Sequence, residues 1–255
     1  MTKSATTSRA WLRQGGTAAV DLLFPPRCGA CDAETPGAAG PVILCDPCRE
    51  QLAPDDGPVC PRCAAAVPVA GDAVLPCSAC RDLRLRFDRT LALGPYEGLL
   101  SRWILRMKED RTRLAGRMML ELAWQRLGQQ LRDLQVDAVT AVPMPFWRRV
   151  VRGVNAPSDL AERLAQKLGV PAAPRLLRMA AKVPPQHELS RAGRFRNVAG
   201  KMTLRPGYSL QAPHVLLVDD ILTTGATASE AARVLKRAGA ATVTVFVLAR
   251  TPASG

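Results

Sequence analysis

The hydrophobic positions of this chain change rhythm along its length, and each rhythm predicts a different element. Residues 1–26 read as a short amphipathic lead that ends at Pro25-Pro26. From 28 to 80 no periodicity persists. Cysteine, proline, glycine and alanine dominate there, so burial alone does not fold this stretch. A connector follows. Leu99, Leu100, Trp103, Ile104 and Met107, then Leu114, Met118, Met119, Leu122, Leu127 and Leu131, recur at helical spacing with a break near residues 108–112. Residues 136–142 read as a buried strand stopped by Pro143-x-Pro145, and 155–168 as a helix with Leu160, Leu164 and Leu168 on one face. Val215-Leu216-Leu217-Val218 is apolar without alternation, the pattern of a parallel-sheet strand covered on both faces. Residues 226–238 return to helical spacing. Strand, helix, strand, loop, strand, helix, strand predicts a doubly wound α/β sheet with a small N-terminal module before it.

Length and charge refine this picture. The chain has 255 residues, 47% of them apolar, enough for one medium domain beside a small one. No run approaches the roughly 18 apolar residues of a membrane-spanning helix. The apolar run at 17–24 is short and interrupted by Asp21, so no secretory signal is read and a reducing cytoplasm is the expected setting. Residues 1–90 carry 10 basic and 10 acidic side chains; residues 91–255 carry 25 and 12, so the whole +13 lies in the second part. Within it, residues 148–205 hold 13 basic and 3 acidic groups, net +10. Such a field suits a phosphate-rich ligand, either a nucleotide or a nucleic-acid backbone, or else belongs to a solvated arginine-rich surface.

After Val218 the chain reads Asp219-Asp220-Ile221-Leu222-Thr223-Thr224-Gly225-Ala226-Thr227. Two carboxylates at a strand's carboxyl end, then a small hydroxyl-bearing turn leading into a helix, outline a phosphosugar site. The helix amino terminus offers unpaired N–H groups and a positive dipole, while Gly225 allows close approach of the backbone. The plainer alternative is that the Asp pair caps the helix.

All eight cysteines fall in four C-x-x-C pairs: Cys28/Cys31, Cys45/Cys48, Cys60/Cys63 and Cys77/Cys80. The second set repeats the spacing of the first, displaced by 32 positions, which marks an internal duplication. Two such knuckles supply four thiolates to one zinc ion in a closed structural site, so two zinc ions are expected. Each zinc with four thiolates carries −2, so two would lower the formal charge from +13 to about +9. Consecutive pairing is favoured by the duplication, and interleaved pairing stays open. Disulfides and redox dithiols are the rivals.

The run from Val215 to Thr227 resembles the phosphoribosyl-pyrophosphate (PRPP) signature of type I phosphoribosyltransferases. By that resemblance Asp219 and Asp220 would hold the ribose hydroxyls, directly or through a magnesium shell, while Thr223, Thr224, Gly225, Ala226 and Thr227 would wrap the 5′-phosphate. Further segments resemble one family, the ComF-type proteins, which join a cysteine-rich zinc module to a phosphoribosyltransferase-like domain. They are Leu23-Phe24-Pro25-Pro26-Arg27-Cys28, Tyr96-x-Gly98 with Lys108, Val142-Pro143-x-Pro145, Arg152-Gly153-x-Asn155, Pro185-Gln186-x-x-Leu189-Ser190 and Arg194-x-x-Asn197-Val198.

The resemblance implies a lead at 1–27, a double zinc ribbon at 28–90 and a phosphoribosyltransferase-like domain at 91–255. It implies a pyrophosphate site after the strand at 136–142, with Lys108, Arg149 and Arg152 as anion partners. Residues 182–197 would be a mobile basic lid carrying Arg191, Arg194 and Arg196. Arg149 and Arg152 read equally as exposed loop charges. It implies cytoplasmic action in uptake of external DNA during natural competence, with DNA-uptake or helicase proteins as partners. The chain departs from the family at Val154 and Ala156, where an aromatic and an amide are common, and at Met202, where an aromatic is frequent. Thr223 stands where purine-salvage relatives carry an extra acid, which disfavours purine salvage. Two function classes remain: a phosphoribosyltransferase using magnesium and PRPP, or a non-catalytic protein that binds single-stranded DNA or acts as an adaptor.

Overall fold

Unalternating apolar runs require a sheet covered on both faces, and the larger part of the molecule is built around one. A computed structural model of the chain describes residues 24–36, 40, 42–54, 57–70, 73–74, 77–81, 83–144, 155–180, 190–208, 210 and 214–252. The chain divides into two compact units, residues 1–51 and 52–255.

In the first unit a tight knuckle forms around Cys28. Its N–H bonds Ala33 O at 2.8 Å, its carbonyl accepts Asp32 N–H at 2.8 Å, and Arg27 bridges Glu34 in antiparallel fashion. Asp32 takes a left-handed φ of 63° to close the turn. Helix α1 (Asp46–Leu52) follows and carries Cys48.

The second unit begins with the same knuckle. Cys60 N–H bonds Ala65 O at 2.8 Å, Cys60 O accepts Ala64 N–H at 2.8 Å, Val59 bridges Ala66, and Ala64 has φ 53°. Each of these positions is its counterpart plus 32, so the duplication read from cysteine spacing extends to backbone hydrogen bonds. A two-residue antiparallel pair, β1 (Val69–Ala70) and β2 (Ala73–Val74), separates the halves of this second ribbon.

The sheet then starts with β3 (Arg89–Pro95), inside the stretch that the apolar pattern left as a connector. Only Leu91 and Leu93 are large there, so its periodicity is short. Next come α2 (Gly98–Glu109) and α3 (Leu114–Asp133). The expected break between them is made by Asp110, whose carboxylate accepts N–H bonds from Thr112 and Ala115, both at 2.8 Å. Strand β4 (Ala138–Ala141) and α4 (Ala156–Leu168) follow, with Pro157 in the first helical turn and Gly169 at φ 71° ending the helix. A small hairpin, β5 (Leu177–Met179) with β6 (Met202–Leu204), brackets α5 (Arg191–Val198). Finally come β7 (His214–Leu222), α6 (Ala226–Arg237) and β8 (Thr242–Arg250).

The strands order as β3-β8-β7-β4, all parallel. Side chains alternate between faces. Val215, Leu217, Val243, Val245 and Val247 pack with Ala228, Ala231, Ala232 and Leu235 of α6 in one cluster, which also takes in Cys60, Cys63 and Cys80 of the second ribbon. Leu216, Val218, Phe246 and Leu248, also fully buried, alternate with these along β7 and β8, and α2, α3 and α4 pack together as a separate helical layer. This is the expected α/β parallel sheet. Met202 is 2% exposed, so its thioether fills part of the α6-side core. Among the described residues, no helix is long and apolar enough to cross a membrane.

Candidate functional site

The carboxyl ends of parallel strands are where ligands bind in open α/β sheets, and β7 delivers its acids there. Asp219 pairs in register with Val247, and the ladder continues through Leu222 opposite Arg250. The strand therefore runs two residues past the acid pair before the turn. Asp219 Oδ1 accepts the Asp220 N–H at 2.9 Å, and Asp220 Oδ1 accepts the Ile221 N–H at 2.7 Å. These acceptor contacts lie within the strand. Neither carboxylate caps α6, whose N-cap Gly225 makes no side-chain capping bond.

Lys108, in the last turn of α2, places Nζ 3.0 Å from Asp220 Oδ2. Burial, and after it the negative charge of Asp220, push the Asp219 carboxyl well above its ordinary value, with Lys108 pulling the other way. An acid pair in this state is short of positive charge. Oxygen donors of this kind suit magnesium or sugar hydroxyls.

Beyond the pair, Thr223 is exposed and Thr224 half-buried, and Thr224 Oγ1 accepts the Ala226 N–H at 3.4 Å. Gly225 has φ 80°, a left-handed conformation natural to glycine. A Cβ there would lie 3.2 Å from Leu85 Cδ2 and 3.4 Å from Phe87 Cζ. The first turn of α6 carries no acid. Its leading N–H groups lack intrahelical partners and, with the helix dipole, favour an anion.

Of the other predicted anion partners, Arg149 and Arg152 lie outside the described residues, as does residue 145 of the Val142-Pro143-x-Pro145 segment. Residues 182–189 of the expected lid also lie outside them. The remainder of that lid is helical: α5 is capped by Ser190, whose Oγ accepts the Gly193 N–H at 3.2 Å. Arg191 opens α5, its side chain undescribed, and Arg194 lies half-buried within it. The sequence shows little periodicity here because the helix seats only Phe195 and Val198 on the core.

Both cysteine sets converge. In Cys28, Cys31, Cys45 and Cys48, and again in Cys60, Cys63, Cys77 and Cys80, the four sulfurs lie within 4.8 Å of one another. Closest distances of 3.6 Å (Cys31–Cys45), 3.6 Å (Cys63–Cys77) and 3.7 Å (Cys60–Cys80) match the roughly 3.75 Å edge of a tetrahedron with Zn–S near 2.3 Å. They are far beyond a disulfide's ~2.05 Å. Pairing is consecutive, which settles the interleaved alternative. Burial raises the Cys28 thiol, but the N–H groups of Cys45, Ala30 and Cys31 more than offset this and bring it down to about 6. Burial raises Cys48 and Cys80. These are two zinc-binding sites.

Two features escape sequence reading. Arg250, 4% exposed at the end of β8, donates to the carbonyls of Cys63, Leu222, Thr223 and Thr251. Its only sequence signal is a charge closing an otherwise apolar strand. Second, Arg84, Arg86, Arg196 and Arg233 gather with Phe195 around a 310 Å³ cavity beside the start of α6. Glu230, buried there, accepts two bonds from Arg233 and the Gly200 N–H.

Residues 19–81 match the double zinc ribbon domain, and residues 159–255 match the phosphoribosyl transferase domain. The chain is 37% identical over 115 residues to the DNA utilization protein YhgH of Salmonella typhi, which is 45% of this chain and 50% of that protein. The match thus spans about half of that relative's length. Competence protein F of Haemophilus influenzae is 27% identical over 169 residues, covering 64% of this chain and 73% of that protein. Among solved structures, an orotate phosphoribosyltransferase from Aeropyrum pernix aligns over 55% of this chain and 65% of that chain, with 22% identity and a TM-score of 0.33. A purine phosphoribosyltransferase from Pyrococcus horikoshii gives 52%, 83%, 17% and 0.34. With scores this low, the fold rests on the strand order and the domain match.

Proposed function

We propose, from the premise that this chain is a ComF-type protein in which a double zinc ribbon precedes a phosphoribosyl transferase domain, that its α/β site binds PRPP or a related phosphosugar or nucleotide. The observation that carries the reading is the α6 amino terminus, whose first turn holds no acid, next to the Asp219–Asp220 pair, with Lys108 alongside. Asp219 and Asp220 take the ribose hydroxyls or the water shell of magnesium. Thr223, Thr224 and Thr227, with the N–H groups from Gly225 onward, take the 5′-phosphate. Lys108, Arg149, Arg152, Arg191 and Arg194 are the proposed anion partners for pyrophosphate. Magnesium, when bound, would offset pyrophosphate charge. If the phosphoribosyl group is transferred to an acceptor, the chain's contribution is to hold ribose C1′ for the acceptor's attack and to stabilise charge on the departing pyrophosphate through Lys and Arg donors. The names of competence protein F and the DNA utilization proteins support a role in DNA uptake or use, which the proposal sets in the cytoplasm.

Calorimetric titration of PRPP at fixed magnesium tests this. Asp219→Asn with Asp220→Asn should abolish binding in a folded protein, because each charged hydrogen bond lost is worth about 1.5–3 kcal/mol. Equal affinities in wild type and double variant would overturn the assignment.

A second reading has its own observation. Four arginines around a cavity with Phe195 at its wall combine charge and an aromatic, as single-strand binders do. This reading is a protein that binds single-stranded DNA without PRPP. Pyrophosphate release across candidate acceptors separates the two.

A further inference from the structure

We infer that the second Cys₄ site sets the conformation of the 222–225 turn, with Arg250 as the positioning residue between them, so that zinc occupancy there governs phosphosugar affinity. The inference rests on reading that turn as the phosphate loop.

Three consecutive carbonyls of the second knuckle are held from the sheet. Thr90 N–H bonds Pro61 O at 3.0 Å, Thr90 Oγ1 donates to Arg62 O at 2.7 Å, and Arg250 Nε donates to Cys63 O at 2.8 Å. Nη1 of the same buried guanidinium donates to Leu222 O at 3.1 Å and also to Thr223 O. One rigid planar group thus joins the carbonyl of a zinc ligand to the carbonyls that open the loop.

The segment that follows Cys80 is tied to the same knuckle and packs on the turn. Arg62 Nη2 donates to Leu85 O at 2.8 Å. Leu85 and Phe87, which follow Cys80 closely, form the wall against Gly225, and the Arg86 N–H bonds Ser229 Oγ in α6 at 3.0 Å. Because these thiolates belong to one buried cluster with the sheet, metal binding there is coupled to folding of the surrounding core. When the knuckle relaxes, Cys63 O leaves Arg250. A buried guanidinium deprived of an acceptor is costly, so the fork and the carbonyls on its other side must rearrange.

The test uses the full chain in three forms: wild type, Cys60→Ser with Cys63→Ser, and Arg250→Met. Zinc per chain, amide hydrogen exchange of residues 222–228, and calorimetric affinity for PRPP at fixed magnesium are measured for each. Both variants should exchange faster at 222–228 than wild type while α3 keeps its protection, and both should bind PRPP at least tenfold more weakly. Arg250→Met should retain two zinc ions, which separates the link from loss of the metal. Unchanged exchange at 222–228 in Arg250→Met overturns the inference, and this variant decides the question if the double cysteine variant does not fold. Absence of PRPP binding in wild type would sink the phosphosugar reading, while the exchange data would still decide the coupling.

Discussion

Lys108 Nζ stands 3.0 Å from Asp220 Oδ2, with the two side chains only 15% and 16% exposed. On the proposed phosphosugar reading, a divalent cation or a ribose hydroxyl reaching Asp220 competes with this ammonium, and ligand entry frees Lys108 to meet pyrophosphate.

Lys108→Met should consequently split two affinities that normally move together. PRPP binding at fixed magnesium should weaken by about tenfold, as expected for losing one charge-assisted contact. Affinity for free magnesium should rise, because the competing ammonium has gone. Titration of each ligand alone checks this, and weaker magnesium binding would contradict it.

Asp219 carries a pH signature. Its carboxyl titrates above the ordinary 3.8 in the folded protein, from burial first and Asp220 second. The fold therefore binds this proton more tightly than the unfolded chain does. The resulting stability is fully present below pH ~3.8 and is lost as pH rises through the folded-state value. At neutral pH this raised value counts against the folded state. Asp219→Asn should raise Tm at pH 7 in magnesium-free buffer and give a smaller gain near pH 4. A variant less stable than wild type at pH 7 would show that the carboxylate is already compensated.

Elemental analysis should return two zinc ions per chain, since both Cys₄ sets meet tetrahedral spacing. The ions should leave unequally. Cys31 is exposed, whereas Cys60, Cys63 and Cys80 are buried in the sheet's own core cluster. A chelator should extract the first ion in a fast phase with near-UV signals of the sheet retained, and the second only as those signals fail. Single-phase release would refute the distinction.

The arginine cavity makes a separate claim. If Arg84, Arg86 and Arg196 follow a phosphate backbone, affinity for a single-stranded oligonucleotide should fall with salt by roughly 0.7 log unit per log unit of salt for each phosphate neutralised. Reversing all three to Glu should flatten that slope by about two units. An identical slope in the triple variant would mark these residues as a solvated face.

Much of the site was legible because its chemistry is contiguous in sequence. Asp219 to Thr227 is one unbroken strand-turn-helix, and the cysteine spacing carries its own register of 32. What stayed hidden depends on contacts between distant segments. Arg250 meets Cys63 across 187 positions, and Arg86 meets Ser229 across 143. Neither leaves a local pattern. Strand β3 was missed because two leucines give too little alternation to announce a strand, and its identity comes from pairing with β8. Helix α5, within the segment expected to form a lid, is faint in the sequence because it seats only Phe195 and Val198 on the core, while its start is fixed by the Ser190 cap.

The 32-residue duplication has left two knuckles of equal backbone geometry and unequal fate. The first is tied by Gly29 N–H to Ile43 O within its own unit, whereas the second surrenders the carbonyls of Pro61, Arg62 and Cys63 to Thr90 and Arg250. The inner copy is built into the scaffold of the sheet that follows it. Pruning the inner copy would strip a buried guanidinium of an acceptor, so the sheet does not part cleanly from the ribbon that precedes it.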